Sequence, residues 1–265
     1  MKKTKLFAIP VLLLGLLAMG YAGYQLLETR QTNIKADSSY EDMSNMVRKT
    51  PIDGNPPLPN HGTSDIEGII ENDSETKINI PRFEIDFNAL RSINNDSVAW
   101  LYSPGTVIDY PVMKAGDYSY YLNHLADGTV NANGSLFIDY NNAPDFSDNL
   151  TVIYGHHMKS GSMFGSLVEY KNQNYFDNNP YMYLYTEHGD YRIDIMYGCV
   201  IGAGQWRERA FMYSESIEAL LAYSKQNTTF HSSVEYQEDD KIVVLSTCSY
   251  EFDDARYFLV GVLRA

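Results

Sequence analysis

Residues 241–265 read KIVVLSTCSYEFDDARYFLVGVLRA. Two short apolar runs, Lys241 to Thr247 and Tyr257 to Leu263, read as strands because Val, Ile, Leu and aromatic residues dominate them. The segment between them, Ser249 to Ala255, is short and acidic. It brings the end of the first strand, Cys248, and the start of the second, Arg256, to the same edge of the fold. A cysteine at a strand end sits on a rim that a substrate can reach. An arginine beside it offers a fixed charge and several donors for a substrate carbonyl or a developing oxyanion.

Upstream, the same texture repeats. Val98 to Tyr102, Thr106 to Val112, Ser135 to Tyr140 and Leu150 to Tyr154 are short runs rich in Val, Ile and Tyr. Pro104-Gly105 and Asn133-Gly134 punctuate them as turns. Tyr181 to Thr186 and Tyr191 to Ile201 flank Glu187-His188-Gly189-Asp190, a hairpin signal. Phe83, Phe87, Leu90 and Ile93 recur at helical spacing and predict a short amphipathic helix. Ser214 to Gln226 predicts a second, with Ile217, Leu220 and Leu221 turned inward. Many short strands with few helices predict a mainly β fold, a closed barrel with peripheral helices. The 22 tyrosines fit half-buried strand positions.

Leu6 to Leu27 carries no charge over 22 residues. At ~1.5 Å per residue that length crosses a hydrocarbon core of roughly 30 Å. Lys2, Lys3 and Lys5 precede it, so residues 1–5 are expected in the cytoplasm and the rest outside. A cleaved signal peptide is the alternative, with small residues at Ala18, Ala22 and Gly23. The run exceeds a usual signal-peptide core and is read as an uncleaved anchor over 6–27. Residues 28–80 are polar, with Pro51, Pro56, Pro57 and Pro59, and are expected to form a stalk with a helical turn or two around Tyr40 to Val47. The folded domain is expected over 81–265. Within the stalk, Leu58-Pro59-Asn60-His61-Gly62 looks superficially like a wall-sorting signal, but no apolar tail follows it.

A net charge of −14 argues against nucleic acid and against a polybasic grip on lipid. Cys199 and Cys248 could form one bridge at most, which excludes a disulfide framework. Cys199, inside a strand pattern, reads as a buried thiol. Tyr154-Gly155-His156-His157 follows the strand Leu150 to Tyr154, so both histidines lie just past a strand end, where one could serve a cysteine nucleophile. Adjacent histidines on a loop rarely share one ion, and no Cys or carboxylate pattern completes a metal set. His61, His124, His188 and His231 lack motif context.

Two segments, Ile153-Tyr-Gly-His-His-Met-Lys-Ser-Gly-Ser-Met-Phe164 and Leu245-Ser-Thr-Cys248 through Arg256, resemble a sortase of class B. The anchor, the polar tether, the helix from Phe83 and the helix before the cysteine strand also resemble that class. The likeness covers roughly Pro81 to Arg264. It departs at Val244, where the family's cysteine motif usually begins with threonine. The resemblance implies a sortase barrel of about eight strands. It also implies a cysteine transpeptidase without metal or cofactor, with Cys248 as nucleophile, His156 as acid/base and Arg256 in the arginine role. Tyr154 and Ser246 fall on groove positions that bind substrate. The implied partners are exported surface proteins with an NPxT- or LPxT-like sorting signal and an amine of a peptidoglycan precursor. A pilin polymerase using a pilin lysine, a hydrolytic cysteine peptidase and a tethered binding module are the alternatives.

Overall fold

The computed structural model describes residues 4–49, 83–206 and 216–265, with the side chains of 4–12 left out of that description. The expected barrel is present. After two short strands, β1 (Arg48–Lys49) and β2 (Glu84–Ile85), the barrel strands are β3 (Ser97–Tyr102), β4 (Asp109–Met113), β5 (Leu136–Ile138), β6 (Leu150–Tyr154), β7 (Tyr181–Thr186), β8 (Gly189–Gly202), β9 (Lys241–Cys248) and β10 (Ala255–Arg264). They close in the order β10-β8-β7-β3-β4-β5-β6-β9. β4 pairs with β5 and β6 with β9 in parallel, and the other neighbours are antiparallel. At the bulge between Val260 and Gly261 a β-carbon on Gly261 would lie 2.4 Å from Ile193 Cγ2, so only glycine lets β10 bend against β8.

The period-two pleat sorts the apolar residues into two clusters. Val243 and Leu245 of β9 join Ile153, Leu184, Tyr257 and Leu259 in the cluster that fills the barrel. Ile242 and Val244 face outward with Leu150, Val152, Phe258 and Val260, and are covered by Trp206, Ile217 and Leu220. The last two residues come from the helix Ile217–Asn227, whose first turn is capped by Ser216 through Ala219 N. Cys199 is fully buried in this outer cluster and donates to the Ser224 carbonyl at 3.5 Å.

Two expectations need correction. The opening helix is Phe87–Ile93, one turn shorter than its apolar spacing suggests, because the Asp86 carboxylate accepts from Ala89 N at 3.0 Å and caps it there. Phe83 instead packs on the Tyr102 and Tyr185 rings. The polar stalk expected from Glu28 is also different as far as Lys49. A single helix runs Thr4–Val47. Ala36, Tyr40, Met43 and Val47 lie at successive steps of four, three and four and are buried in the main core. That stripe is one residue wide, so the polar residues around it hide the period. Residues 50–82 lie outside the described part, but the chain on either side of them is paired: Arg48–Lys49 forms a two-residue ladder with Glu84–Ile85.

Leu13, Leu14, Leu16, Leu17, Leu26 and Leu27 are all more than half exposed on the upstream part of this helix. Among the described residues no helix is long and apolar enough to cross a membrane. The apolar run that suggests one begins at Leu6, among the side chains outside the description.

Arg48 fastens the end of the helix. It pairs with Asp109 and lies 4.2 Å from the centre of the Phe83 ring. Asp109 also accepts from Trp100 Nε1 at 2.7 Å. Burial pushes the Asp109 carboxyl above its ordinary value, while Arg48 pulls it back. Arg48→Met removes the opposing charge and leaves the carboxylate buried and unpaired, so it should cost about 3 kcal/mol near neutral pH. A group whose folded pKa is raised loses its contribution to stability as pH rises through that value. The deficit of the variant should therefore shrink on acidification, which thermal melts at pH 5 and pH 8 would measure.

Candidate active site

The parallel pairing of β6 and β9 places Tyr154 beside Ser246. Contact continues past the ladder: Gly155 N donates to Ser246 O at 3.2 Å, and Thr247 Oγ1 donates to Gly155 O at 2.8 Å. The two motifs therefore leave the barrel together, with His156 on one chain and Cys248 on the other. Antiparallel pairing of β9 with β10 sets Arg256 directly across from Cys248. Parallel neighbours in register share a face of the sheet. Ser246 and Cys248 thus continue the outward row of Ile242 and Val244, toward the side covered by Trp206 and the helix Ile217–Asn227.

Arg256 Nη1 donates to Cys248 Sγ. Cys248 is half-buried and free of any disulfide, so a fixed positive charge stands beside a reachable sulfur. The other thiol contrasts with it. Burial pushes Cys199 up to about 12, with only the Ser224 carbonyl beside it.

The two histidines are held differently. His156 Nε2 lies 2.7 Å from Leu122 O, and His157 Nδ1 lies 2.8 Å from Cys248 O. A carbonyl only accepts, so the proton sits on Nε2 of His156 and on Nδ1 of His157. In that tautomer Nδ1 of His156 carries the ring's lone pair. His157 instead braces the cysteine's backbone, and the exposed Tyr250 ring lies over it at 4.8 Å. Behind Cys248, Lys171 pairs with Glu251 and donates to Ser249 Oγ at 3.2 Å, tying the Ser249 loop to the 3-10 helix Gly165–Lys171.

Tyr154 and Ser246, neighbours in the parallel ladder, lie on the outward face leading to Cys248. The residues that hold Tyr154 had no such signal. Asp139, 3% exposed, follows β5 and accepts from Tyr118 at 2.9 Å and from Tyr154 at 3.1 Å. Burial first, then the Asp139 charge, pushes the Tyr154 phenol up, so it stays protonated and donates. Tyr118 stacks edge-on with Tyr140 at 4.6 Å. Leu122, whose carbonyl holds His156, is also invisible to motif reading, because it acts through its backbone. Asp139 alone could have been suspected, as an acid at the end of an apolar strand. Among the described residues, no three His, Cys, Asp or Glu side chains gather as a metal ion would require.

Known proteins are similar to this chain in sequence and fold. The sortase domain family matches residues 101–263. Sortase B of Listeria monocytogenes is 34% identical over 166 residues, which span 62% of this chain and 67% of that protein. Sortase B of Staphylococcus aureus is 25% identical over 179 residues, 67% of this chain and 73% of that one. The crystal structure of Clostridium perfringens sortase B superposes with a TM-score of 0.63 at 29% identity, covering 67% of this chain and 99% of that one. A Streptococcus pyogenes class B sortase involved in pilus biogenesis gives 0.62 at 28% identity, covering 68% and 98%. Barrel order, the paired strand ends and these relatives agree that the chain belongs to the sortase family, in class B, whose members are cysteine transpeptidases that anchor proteins to the cell wall.

Proposed function

We propose that Cys248 is the nucleophile, His156 the acid/base and Arg256 the carbonyl-holding cation of this transpeptidase. The observation that carries the reading is the Arg256 guanidinium on the Cys248 sulfur, at a strand end whose neighbouring chain delivers His156. The Cys248 thiolate attacks the carbonyl carbon of a Thr–Gly-like bond in an NPxT- or LPxT-type sorting signal. Arg256 donates to the oxygen as it becomes negative. The C–N bond breaks, and protonated His156 gives its proton to the departing amine. A cell-wall precursor amine then attacks the thioester, its proton passes to His156, and the C–S bond breaks to restore the thiolate. Tyr154 and Ser246, paired neighbours on the same outward face as Cys248, are assigned to the floor on which the signal peptide lies. Joining pilin subunits through a lysine amine is the second reading, supported by the relative involved in pilus biogenesis.

Location follows from the N-terminus. The uncharged run from Leu6 to Leu27, the lysines before it and the exposed leucines on the helix support a single membrane anchor with the barrel outside. Alkaline extraction of membranes should leave the chain in the pellet, and protease added to intact protoplasts should digest the barrel. Release into the alkaline wash would exclude the anchor.

Chemistry gives two further tests. At pH 8, iodoacetamide should modify Cys248 within minutes and leave Cys199 untouched, read by peptide mass spectrometry. Cys248→Ala should form no thioester with a sorting-signal peptide, while Cys199→Ala should form it normally.

His156→Ala should lower kcat by about 10²–10⁴ across the whole pH range, since leaving-group protonation is lost. His157→Ala, which removes only a brace on a backbone carbonyl, should be mild. Arg256→Lys keeps the charge but loses the planar fork and should fall by about 10². Kinetics of peptide–amine ligation, with products separated by mass, would decide among these. An active His156 variant beside a dead His157 variant would transfer the acid/base role by one residue.

A further inference from the structure

We propose that Tyr40, on the N-terminal helix, is a positioning residue for His156, so that docking of this helix sets the geometry of the transfer reaction. The inference rests on the reading of His156 as the acid/base.

Tyr40 is 5% exposed and reaches the His156 segment by two routes. On the ring side, its hydroxyl donates to Gly134 O at 2.6 Å and lies 2.9 Å from Ser135 Oγ. Burial pushes this phenol up, so it remains a donor at any physiological pH. Gly134, at φ +60°, lies close beside the histidine: a β-carbon there would lie 3.0 Å from His156 Cδ2 and 2.4 Å from Tyr121 O. Ser135 N donates to the same Tyr121 O at 2.9 Å, and Ser135 Oγ donates to His124 O at 2.9 Å. The hydroxyl of Tyr40 thus grips the loop 121–135, and that loop supplies the Leu122 carbonyl that holds His156 Nε2.

On the backbone side, the Tyr40 ring packs edge-on against Tyr110 at 5.1 Å. Tyr110 OH accepts from Met163 N at 3.4 Å. Met163 bridges to His157, and Phe164 N donates to His156 O at 3.0 Å. One side chain of the helix therefore supports both the ring and the main chain of His156. Two other helix contacts hold the same loop: Ser39 Oγ donates to Asp127 at 2.8 Å, and Asn131 Nδ2 donates to Thr32 O at 3.1 Å.

A small displacement of a catalytic group costs rate without weakening substrate binding, because binding contacts lie elsewhere. Tyr40→Phe keeps the ring and its packing on Tyr110 while releasing Gly134 and Ser135. In the full-length chain in detergent micelles, this variant should lower kcat for peptide–amine ligation about tenfold, with KM within about twofold. Its melting temperature should stay close to that of the parent.

The imidazole nitrogen spectrum of ¹⁵N-histidine-labelled protein reads the same effect without substrate. The His156 resonances should move away from the Nε2–H pattern, while those of His157, held by the Cys248 carbonyl, should not. Unchanged kcat and unchanged His156 resonances would overturn the proposal. So would a loss in which His157 resonances and melting temperature shift as much as His156 does, since that reports general loosening. Should Tyr40→Phe fail to fold, Ser135→Ala removes one partner of the same hydroxyl and is judged by the same criteria. The two readings fail separately: an active His156→Ala enzyme would refute the acid/base assignment and leave the spectral coupling intact. A Tyr40→Phe spectrum identical to the parent's would do the reverse.

Discussion

The site depends on the parallel register of β6 against β9. In parallel strands, residues in register point to the same face of the sheet. Once Tyr154 lies beside Ser246, the outward row of one strand continues the outward row of the other. A slip of one residue would turn Cys248 toward the barrel interior and bury the sulfur among Val243 and Leu245. The register is protected by the core itself, because Ile153 and Leu245 share the interior while Val152 and Val244 share the outer cluster. Burial on both faces leaves no alternative pairing of comparable stability.

The third strand adds the charge. Antiparallel pairing makes Arg256 the direct neighbour of Cys248, and the Ser249 N to Ala255 O hydrogen bond at 2.8 Å closes the turn between them. A guanidinium on a rigid strand opposite the sulfur is preorganised, so in the proposed role it would need no side-chain search. The histidine is held by a different principle. His156 lies beyond the ladder, so its ring depends on a loop carbonyl, at Leu122, and on the loops around it.

That dependence gives the N-terminal helix its place in the fold. Its apolar stripe continues the main core, and the Arg48–Asp109 pair and the short ladder with Glu84–Ile85 fix its end. The described chain on either side of residues 50–82 meets at this corner, where Arg48–Lys49 pairs with Glu84–Ile85. The helix and the barrel share one core.

The sequence alone determined the strands, since each alternating apolar run between Val98 and Leu263 became a barrel strand within a few residues of its expected ends. It determined Cys248, Arg256 and the histidine pair as candidates, because strand-end chemistry is written in contiguous residues. It concealed the docked helix, whose buried stripe is four residues scattered among polar ones, and it placed the helix from Phe83 too early because the Asp86 cap outweighs apolar spacing. The supports of the site, Asp139 beneath Tyr154, the Leu122 carbonyl on His156 and the Gly134 contact beneath Tyr40, were decided only by tertiary structure. Each joins residues far apart in the chain, and two of them act through backbone atoms that every residue possesses, so no residue type marks them in advance.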